Sequence, residues 1–339
     1  MSSAAISSKP SSQLPLTTAT PSVGYDVEMI VKSFCAGGIA GMASKTAVAP
    51  LDRIKILLQG HNSHFQNSGV ISGLFRVVKT EGFLGLYKGN GAMMIRVFPY
   101  AAVQFVSFDV YKKILSPYFK KDSHLFKLFA GSAAGINAVI LTYPLDLVRA
   151  RLAFVVDPVK SGPSSQAVKK PGVVSTIVSV YKTEGGVLGL YRGLTPTICH
   201  IIPYAGLNFY CFERVKSFLL NSKTLAEVNG DQLVLTVPGK LVAGGVAGSV
   251  AQTIAYPMDV CRRRMQLSYM SEETKAKYSK GVVSTLYTTY KEHGIVRGLF
   301  RGMTANYIRA APMISMNFAT YELMKQLLGL KTGIDIKAG

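Results

Sequence analysis

The stretches APLDRIKIL (49–57), YPLDLVRARL (143–152) and YPMDVCRRRM (256–265) state one motif three times. In each copy a proline is followed two residues later by an acid and three residues after that by a base, giving Asp52 with Lys55, Asp146 with Arg149, and Asp259 with Arg262. All six charges lie inside otherwise apolar helical runs, where hydrocarbon tolerates them only if they face a polar interior and find partners. The prolines Pro50, Pro144 and Pro257 recur 94 and 113 residues apart, so the 339 residues read as three tandem units rather than two soluble domains.

The repetition extends outward from the motif. Nine residues before each proline a small-residue cluster ends, AGGIAG at Gly41, AGSAAG at Gly135 and AGGVAG at Gly248, as close approach of membrane helices requires. After each comes a turn (Glu81-Gly82, Glu184-Gly185, His293-Gly294), then YKG, YRG or FRG from Tyr87, Tyr191 or Phe300. A second apolar run follows and ends in FDVYK, FERVK or YELMK from Phe108, Phe212 or Tyr321. The first helices are predicted over 31–59, 125–154 and 239–267, the second over 89–115, 193–220 and 302–328. Each exceeds the ~20 residues that cross hydrocarbon. Amphipathic loop stretches from Gly69 and Gly172 suit the membrane surface. The expected fold is an all-α membrane protein, six transmembrane helices in three two-helix repeats forming a pseudo-threefold bundle. Repeats are expected over 27–121, 122–222 and 223–330, with a Ser-, Thr- and Pro-rich disordered tail over 1–26 and a C-terminal tail over 331–339.

Nearly half the chain is hydrophobic and its formal net charge is +20. The bases stand at segment ends beside acids, with no nucleic-acid motif, which favours an anionic substrate and anionic lipid over nucleic acid. Cys35, Cys199, Cys211 and Cys261 have no metal spacing and read as reduced packing residues. No nucleophile-base-acid set, metal cluster or P-loop accompanies His61, His64, His124, His200 and His293, so no catalysis and no cofactor is expected.

Threefold closure predicts a ring of ion pairs across the first helices, Asp52 with Arg149, Asp146 with Arg262, and Asp259 with Lys55. A second ring at the other end would pair Asp109 with Lys216, Glu213 with Lys325, and Glu322 with Lys112. Two rings at opposite ends read as two gates that close in turn around a bound solute, which is alternating access. Arg96, His200 and Arg309 stand three residues before Pro99, Pro203 and Pro312 and so share one level of the second helices, with Lys45 adding a base from the first helix. Lys45, Arg96 and Arg309 suit a polyanion, and Ile201 with Tyr204 offer an apolar or stacking wall.

The three ordered copies of Pro-x-acid-x-x-base, the glutamate-glycine turns and the acid-x-x-base endings resemble the mitochondrial carrier family over nearly all of 31–328. The resemblance implies a monomeric six-helix carrier of the mitochondrial inner membrane, termini toward the intermembrane space. Cardiolipin would be a bound lipid at the helix N-termini near Gly89, Gly193 and Gly302. It places substrate contact at Lys45, Arg96, His200, Ile201, Tyr204 and Arg309. It makes the first ring the matrix gate, braced by Gln59 and Gln266 with Ala153 in the middle position. The second ring becomes the cytoplasmic gate, where Tyr321 alone carries a hydroxyl against Phe108 and Phe212. A second base of the motif is present as Arg151 and Arg264 but replaced by Leu57 in the first copy. VAPLDRIKILLQGHN, TYPLDLVRARLAF and RRRMQL are similar to the coenzyme A and Graves disease carrier subgroup, which implies exchange of coenzyme A for an adenine nucleotide. Another phosphorylated nucleotide or cofactor as cargo, and a proton-leak or structural membrane protein, are the alternatives.

Overall fold

A computed structural model describes residues 27–60, 62, 65, 68–119, 124–156, 172–221, 225–229 and 232–330. The tails expected over 1–26 and 331–339, together with His61 and His64, lie outside the described residues. Six long helices carry the architecture: α1 (Val27–Gln59), α3 (Asn90–Leu115), α4 (His124–Phe154), α7 (Leu194–Asn221), α8 (Val237–Leu267) and α11 (Met303–Leu327). Between them lie the short helices α2 (Val70–Glu81), α5 (Val173–Thr183), α6 (Val187–Leu190), α9 (Glu272–Tyr278) and α10 (Val282–His293). Every long helix continues through its proline, at Pro50, Pro99, Pro144, Pro203, Pro257 and Pro312. The 33 residues of α1 make a rod about 50 Å long, more than the ~30 Å of hydrocarbon, so its ends project or it tilts.

The second helix of each repeat packs most closely on the first helix of the next, α3 on α4 and α7 on α8, and α11 returns to α1 to close the ring. Alanines spaced by four make these seams: Ala36 and Ala40, Ala130, Ala134 and Ala138, and Ala243, Ala247 and Ala251 are all essentially fully buried. Spacing of four keeps them on one face, and their size brings backbones together where lipid offers no hydrophobic drive. The adjoining glycines divide differently from the expectation of uniform close approach. A Cβ on Gly38 would collide with the Phe98 ring, whereas Gly131 and Gly135 have open space beside them and line a central cavity.

The short helices repeat as well. Ile71, Phe75 and Val78 on α2, Val174, Val178 and Tyr181 on α5, and Val283, Tyr287 and Tyr290 on α10 are exposed at the same four-then-three spacing. Exposed apolar stripes on surface helices fit the boundary between headgroups and acyl chains. Phe83–Leu115 and Phe126–Phe154 are each long and apolar enough to span a bilayer unaided. One element was not expected, an antiparallel hairpin of β1 (Ala226–Asn229) and β2 (Gln232–Leu235) with Asn229 opposite Gln232. It leads into Thr236, whose hydroxyl caps α8 by accepting from the Gly239 amide at 3.2 Å.

Gly89, Gly193 and Gly302 start α3, α7 and α11 at φ of 83°, 84° and 81°. A Cβ on Gly193 would stand 2.9 Å from the Tyr143 hydroxyl, and one on Gly89 2.8 Å from the Arg149 carbonyl oxygen. Left-handed backbone and lack of room act together, the first alone costing a non-glycine residue roughly 1–2 kcal/mol. Gly193→Ala is therefore expected to lower the thermal unfolding midpoint of the purified protein, and Gly185→Ala, with a similar φ of 91° but open space, to lower it less.

Candidate functional site

The first helices converge on a ring of carboxylates. Arg149 Nη2 donates to Asp52 at 2.5 Å, Lys55 Nζ donates to Asp259 at 2.6 Å, and Arg262 Nη2 donates to Asp146. Each acid thus meets the base of another repeat, because acid and base three apart point from one helix face to opposite neighbours. Two glutamines brace the ring from below. Gln59 Nε2 lies 3.0 Å from the Tyr256 hydroxyl and 3.4 Å from Asp259, and Gln266 Nε2 lies 3.0 Å from the Tyr143 hydroxyl and 2.9 Å from Asp146. Ala153 stands in the third brace position, beneath the Asp52 pair, with no polar group to offer.

A second tier of cations reaches the same acids from the second helices. Arg309 Nη1 donates to Asp52 at 2.5 Å, while Arg96 donates to Asp146 at 2.8 Å through Nη1 and to the Thr142 hydroxyl at 3.1 Å through Nε. Asn306, unforeseen in the sequence, accepts from both Lys55 and Arg309 at 3.0 and 2.9 Å and so links the tiers. His200 occupies the corresponding level of α7, its ring stacked on Tyr204 with centroids 5.5 Å apart and planes 15° from parallel, and its Nε2 has no hydrogen-bond partner.

Above the ring lies a cavity of about 650 Å³ lined by Lys45, Arg96, His200, Ile201, Tyr204 and Arg309, so the six residues expected to share one site do share it. Its wall carries eight Lys or Arg side chains against Asp52, Asp146 and Asp259, an excess of five positive charges. Two of these cations place a donor on a weak acceptor: Lys45 Nζ donates to Met313 Sδ at 3.4 Å and Arg149 Nη1 to Met93 Sδ at 3.2 Å. A thioether is a poor partner for a charge, so an incoming phosphate oxygen would displace it readily.

The other end of the bundle is different. Lys216 reaches Glu213 at 3.7 Å and Lys325 reaches Glu322 at 3.5 Å, both one turn away on the same helix, while Asp109 is exposed. Lys112 and Lys325 lie over the rings of Phe108 and Tyr321. The expected pairs Asp109 with Lys216, Glu213 with Lys325, and Glu322 with Lys112 are not formed in this state. These side chains sit at a hydrated mouth, where a local i,i+3 contact costs less than bridging two helices.

A set of links beneath the ring was only half legible. Arg151 donates to Glu184 through both Nη atoms and to the Gln266 carbonyl at 3.3 Å. Arg264 Nη1 donates to the Tyr278 hydroxyl at 2.8 Å, which in turn donates to Glu292 at 3.0 Å. In the first copy, where Leu57 replaces the base, Arg53 does the work from one turn earlier on the same face. It is 1 % exposed and donates to Glu81 at 2.7 Å, to the Ala153 and Val155 carbonyls at 3.1 and 3.0 Å, and to the Gly85 carbonyl. The i,i+4 relation of positions 53 and 57 was the available signal. Burial opposes ionisation of Glu292, yet hydrogen bonds from Lys277 and Tyr278 hold its carboxyl below the usual range. Its contribution to stability is therefore present at neutral pH and lost on acidification.

Sequence comparison agrees with this architecture. The family description "Mitochondrial carrier protein" matches residues 26–119, 120–223 and 234–332. The chain is 49% identical over 305 residues to human solute carrier family 25 member 16, covering 88% of this chain and 89% of that protein. It is 41% identical over 308 residues to the Arabidopsis thaliana mitochondrial carrier protein CoAc1 (88% and 89% covered) and 37% over 313 residues to Zea mays CoAc2 (90% and 89%). The chain belongs to the mitochondrial carrier family, within its coenzyme A and Graves disease carrier subgroup. It is accordingly a multi-pass inner-membrane transporter of a small molecule and not an enzyme.

Proposed function

We propose that this carrier moves coenzyme A, or a related adenine nucleotide, across the inner mitochondrial membrane by exchange. The observation that carries the reading is the excess of cationic side chains in one cavity beside the His200–Tyr204 stack. Arg forks and Lys45 match phosphate oxygens, Ile201 and Tyr204 supply a wall for the base, and plant relatives bear the name CoAc. Arg96 and Arg309 are the coupling element, since each is held by a ring acid and each faces the cavity. A polyanion drawing them inward would strip one partner from Asp146 and one from Asp52, loosening the matrix gate from within. The differential affinity for substrate between the two states supplies the free energy. Asp109, Lys112, Glu213, Lys216, Tyr321, Glu322 and Lys325 would then close the cytoplasmic gate in turn. The carrier acts as a monomer, with cardiolipin phosphates on helix starts such as Gly69–Ser72 beside Gly302.

Uptake of labelled coenzyme A into liposomes preloaded with adenine nucleotides tests this. Arg96→Ala and Arg309→Ala are each expected to reduce uptake at least about tenfold, the equivalent of ~1.4 kcal/mol. Unchanged uptake in both would remove them from the site. Competition by unlabelled solutes ranks coenzyme A against other nucleotides, and substrate-independent proton conductance without uptake would favour a leak.

A further inference from the structure

The pseudo-threefold relation makes one position anomalous. Arg96 on α3 faces Asp146 on α4, and Arg309 on α11 faces Asp52 on α1. By the same relation His200 on α7 corresponds to Arg96 and Arg309, and the ring acid assigned to it is Asp259 on α8, which lines the same cavity. Asp52 and Asp146 each accept from arginines of both tiers, whereas Asp259 has Lys55 and the Gln59 amide but no second-tier cation. The position that would supply one holds the side chain whose ordinary titration falls between pH 5 and 8. Its Nε2 is buried and unpartnered, and its ring is fixed by the stack on Tyr204 within the cavity wall.

We infer that His200 is a proton-binding site of the cavity, and that a proton taken up on Nε2 from the side to which the cavity opens supplies the missing third cation. Protonated, His200 completes the tier over Asp259 and adds one positive charge to the wall that meets the substrate phosphates. Neutral, it leaves a cavity of lower charge. Arg262, Lys55 and Asp259 share the cavity wall with His200, and a polyanion bound among them tips the balance toward the protonated form. Translocation of the anionic substrate thereby carries a proton with it. The inference rests on the proposed coenzyme A reading, because it requires an anion in this cavity.

The test compares full-length wild type, His200→Gln and His200→Arg in liposomes at clamped potential, measuring labelled coenzyme A uptake from pH 6 to pH 8. The window lies within the range in which histidine side chains gain and lose their proton. Wild-type uptake is expected to be several-fold greater at pH 6, with an entrapped pH dye reporting proton entry alongside substrate. His200→Gln should be slow and nearly flat with pH, and His200→Arg flat and without substrate-linked proton entry. The same pH profile in all three proteins would assign the titration to substrate phosphate and overturn the inference while leaving the transport reading intact. Absence of coenzyme A uptake in every protein would instead remove the transport reading. In that event imidazole NMR of the full-length carrier, assigned by His200→Gln, decides the matter: a ring that does not titrate between pH 5 and 8 refutes the site.

Discussion

Asp146→Asn is expected to abolish exchange almost completely, by on the order of a hundredfold or more, and to do so more severely than the same change at Asp52 or Asp259. Asp146 accepts from Arg262, from Arg96 at 2.8 Å and from Gln266 at 2.9 Å, with Arg263 at 3.9 Å. An isosteric amide keeps the volume but leaves three guanidinium groups with no carboxylate among them. Removing one partner of a buried pair costs about 3–5 kcal/mol, and each ~1.4 kcal/mol is a factor of ten. On the proposed alternating-access reading, a ring that cannot close would hold the carrier at one end of its cycle, so exchange would stall even with substrate bound. Asp52, which meets two arginines, should follow, and Asp259, which meets one lysine, should be the mildest. Adding Arg96→Gln to Asp146→Asn should restore part of the thermal stability by removing one stranded charge, without restoring exchange, because Arg96 is also a proposed substrate contact. Equal losses at all three acids would contradict this graded account.

The second large effect concerns stability. Arg53→Ala is expected to lower the thermal unfolding midpoint of the purified carrier more than Leu57→Ala does, although Leu57 is fully buried. Arg53 ties α1 to the C-terminal end of α2 through Glu81 and to the C-terminal end of α4 through the Ala153 and Val155 carbonyls. Its loss leaves Glu81 in a buried setting with Lys88 alone. The cost lies toward the lower end of the about 3–5 kcal/mol for breaking a buried pair, since Lys88 still meets Glu81, and Arg53→Lys should recover little because one ammonium cannot span that fork. The reaction of the buried Cys261 thiol with a fluorescent reagent during heating reports the transition. A midpoint for Arg53→Ala above that of Leu57→Ala would show that the link contributes less than the packing around it.

The six long helices were legible because the proline motif, the second-run endings and the small-residue clusters recur with fixed internal spacing. Their observed ends fall within a few residues of the expected ones: α1 begins at Val27 rather than 31, and α7 ends at Asn221 rather than 220. The partners of Asp52, Asp146 and Asp259 could be written down from closure of a threefold ring, since each acid-base spacing leaves one neighbour on each side. The second-helix ring could not be read as paired or unpaired, because each of its bases has an acid one turn away on its own helix as well as one on a neighbour. Arg53 was missed because the motif led the eye to the fifth residue after the acid, when the required direction is also available one turn earlier. The pair of four-residue strands, 226–229 and 232–235, escaped because its alternation is short and sits between two much stronger helical signals.

Ala153 has a consequence for how the bundle moves. Two of the three ion pairs of the first-helix ring are tethered through a glutamine to tyrosines on a neighbouring helix, and the one between α1 and α4 is not. Once Arg53 releases the Ala153 and Val155 carbonyls, that side has no amide tether left to break, so the doorway swings lopsidedly there instead of dilating like an iris. A long, bulky cargo would find its first passage there, ahead of any full separation of the three repeats.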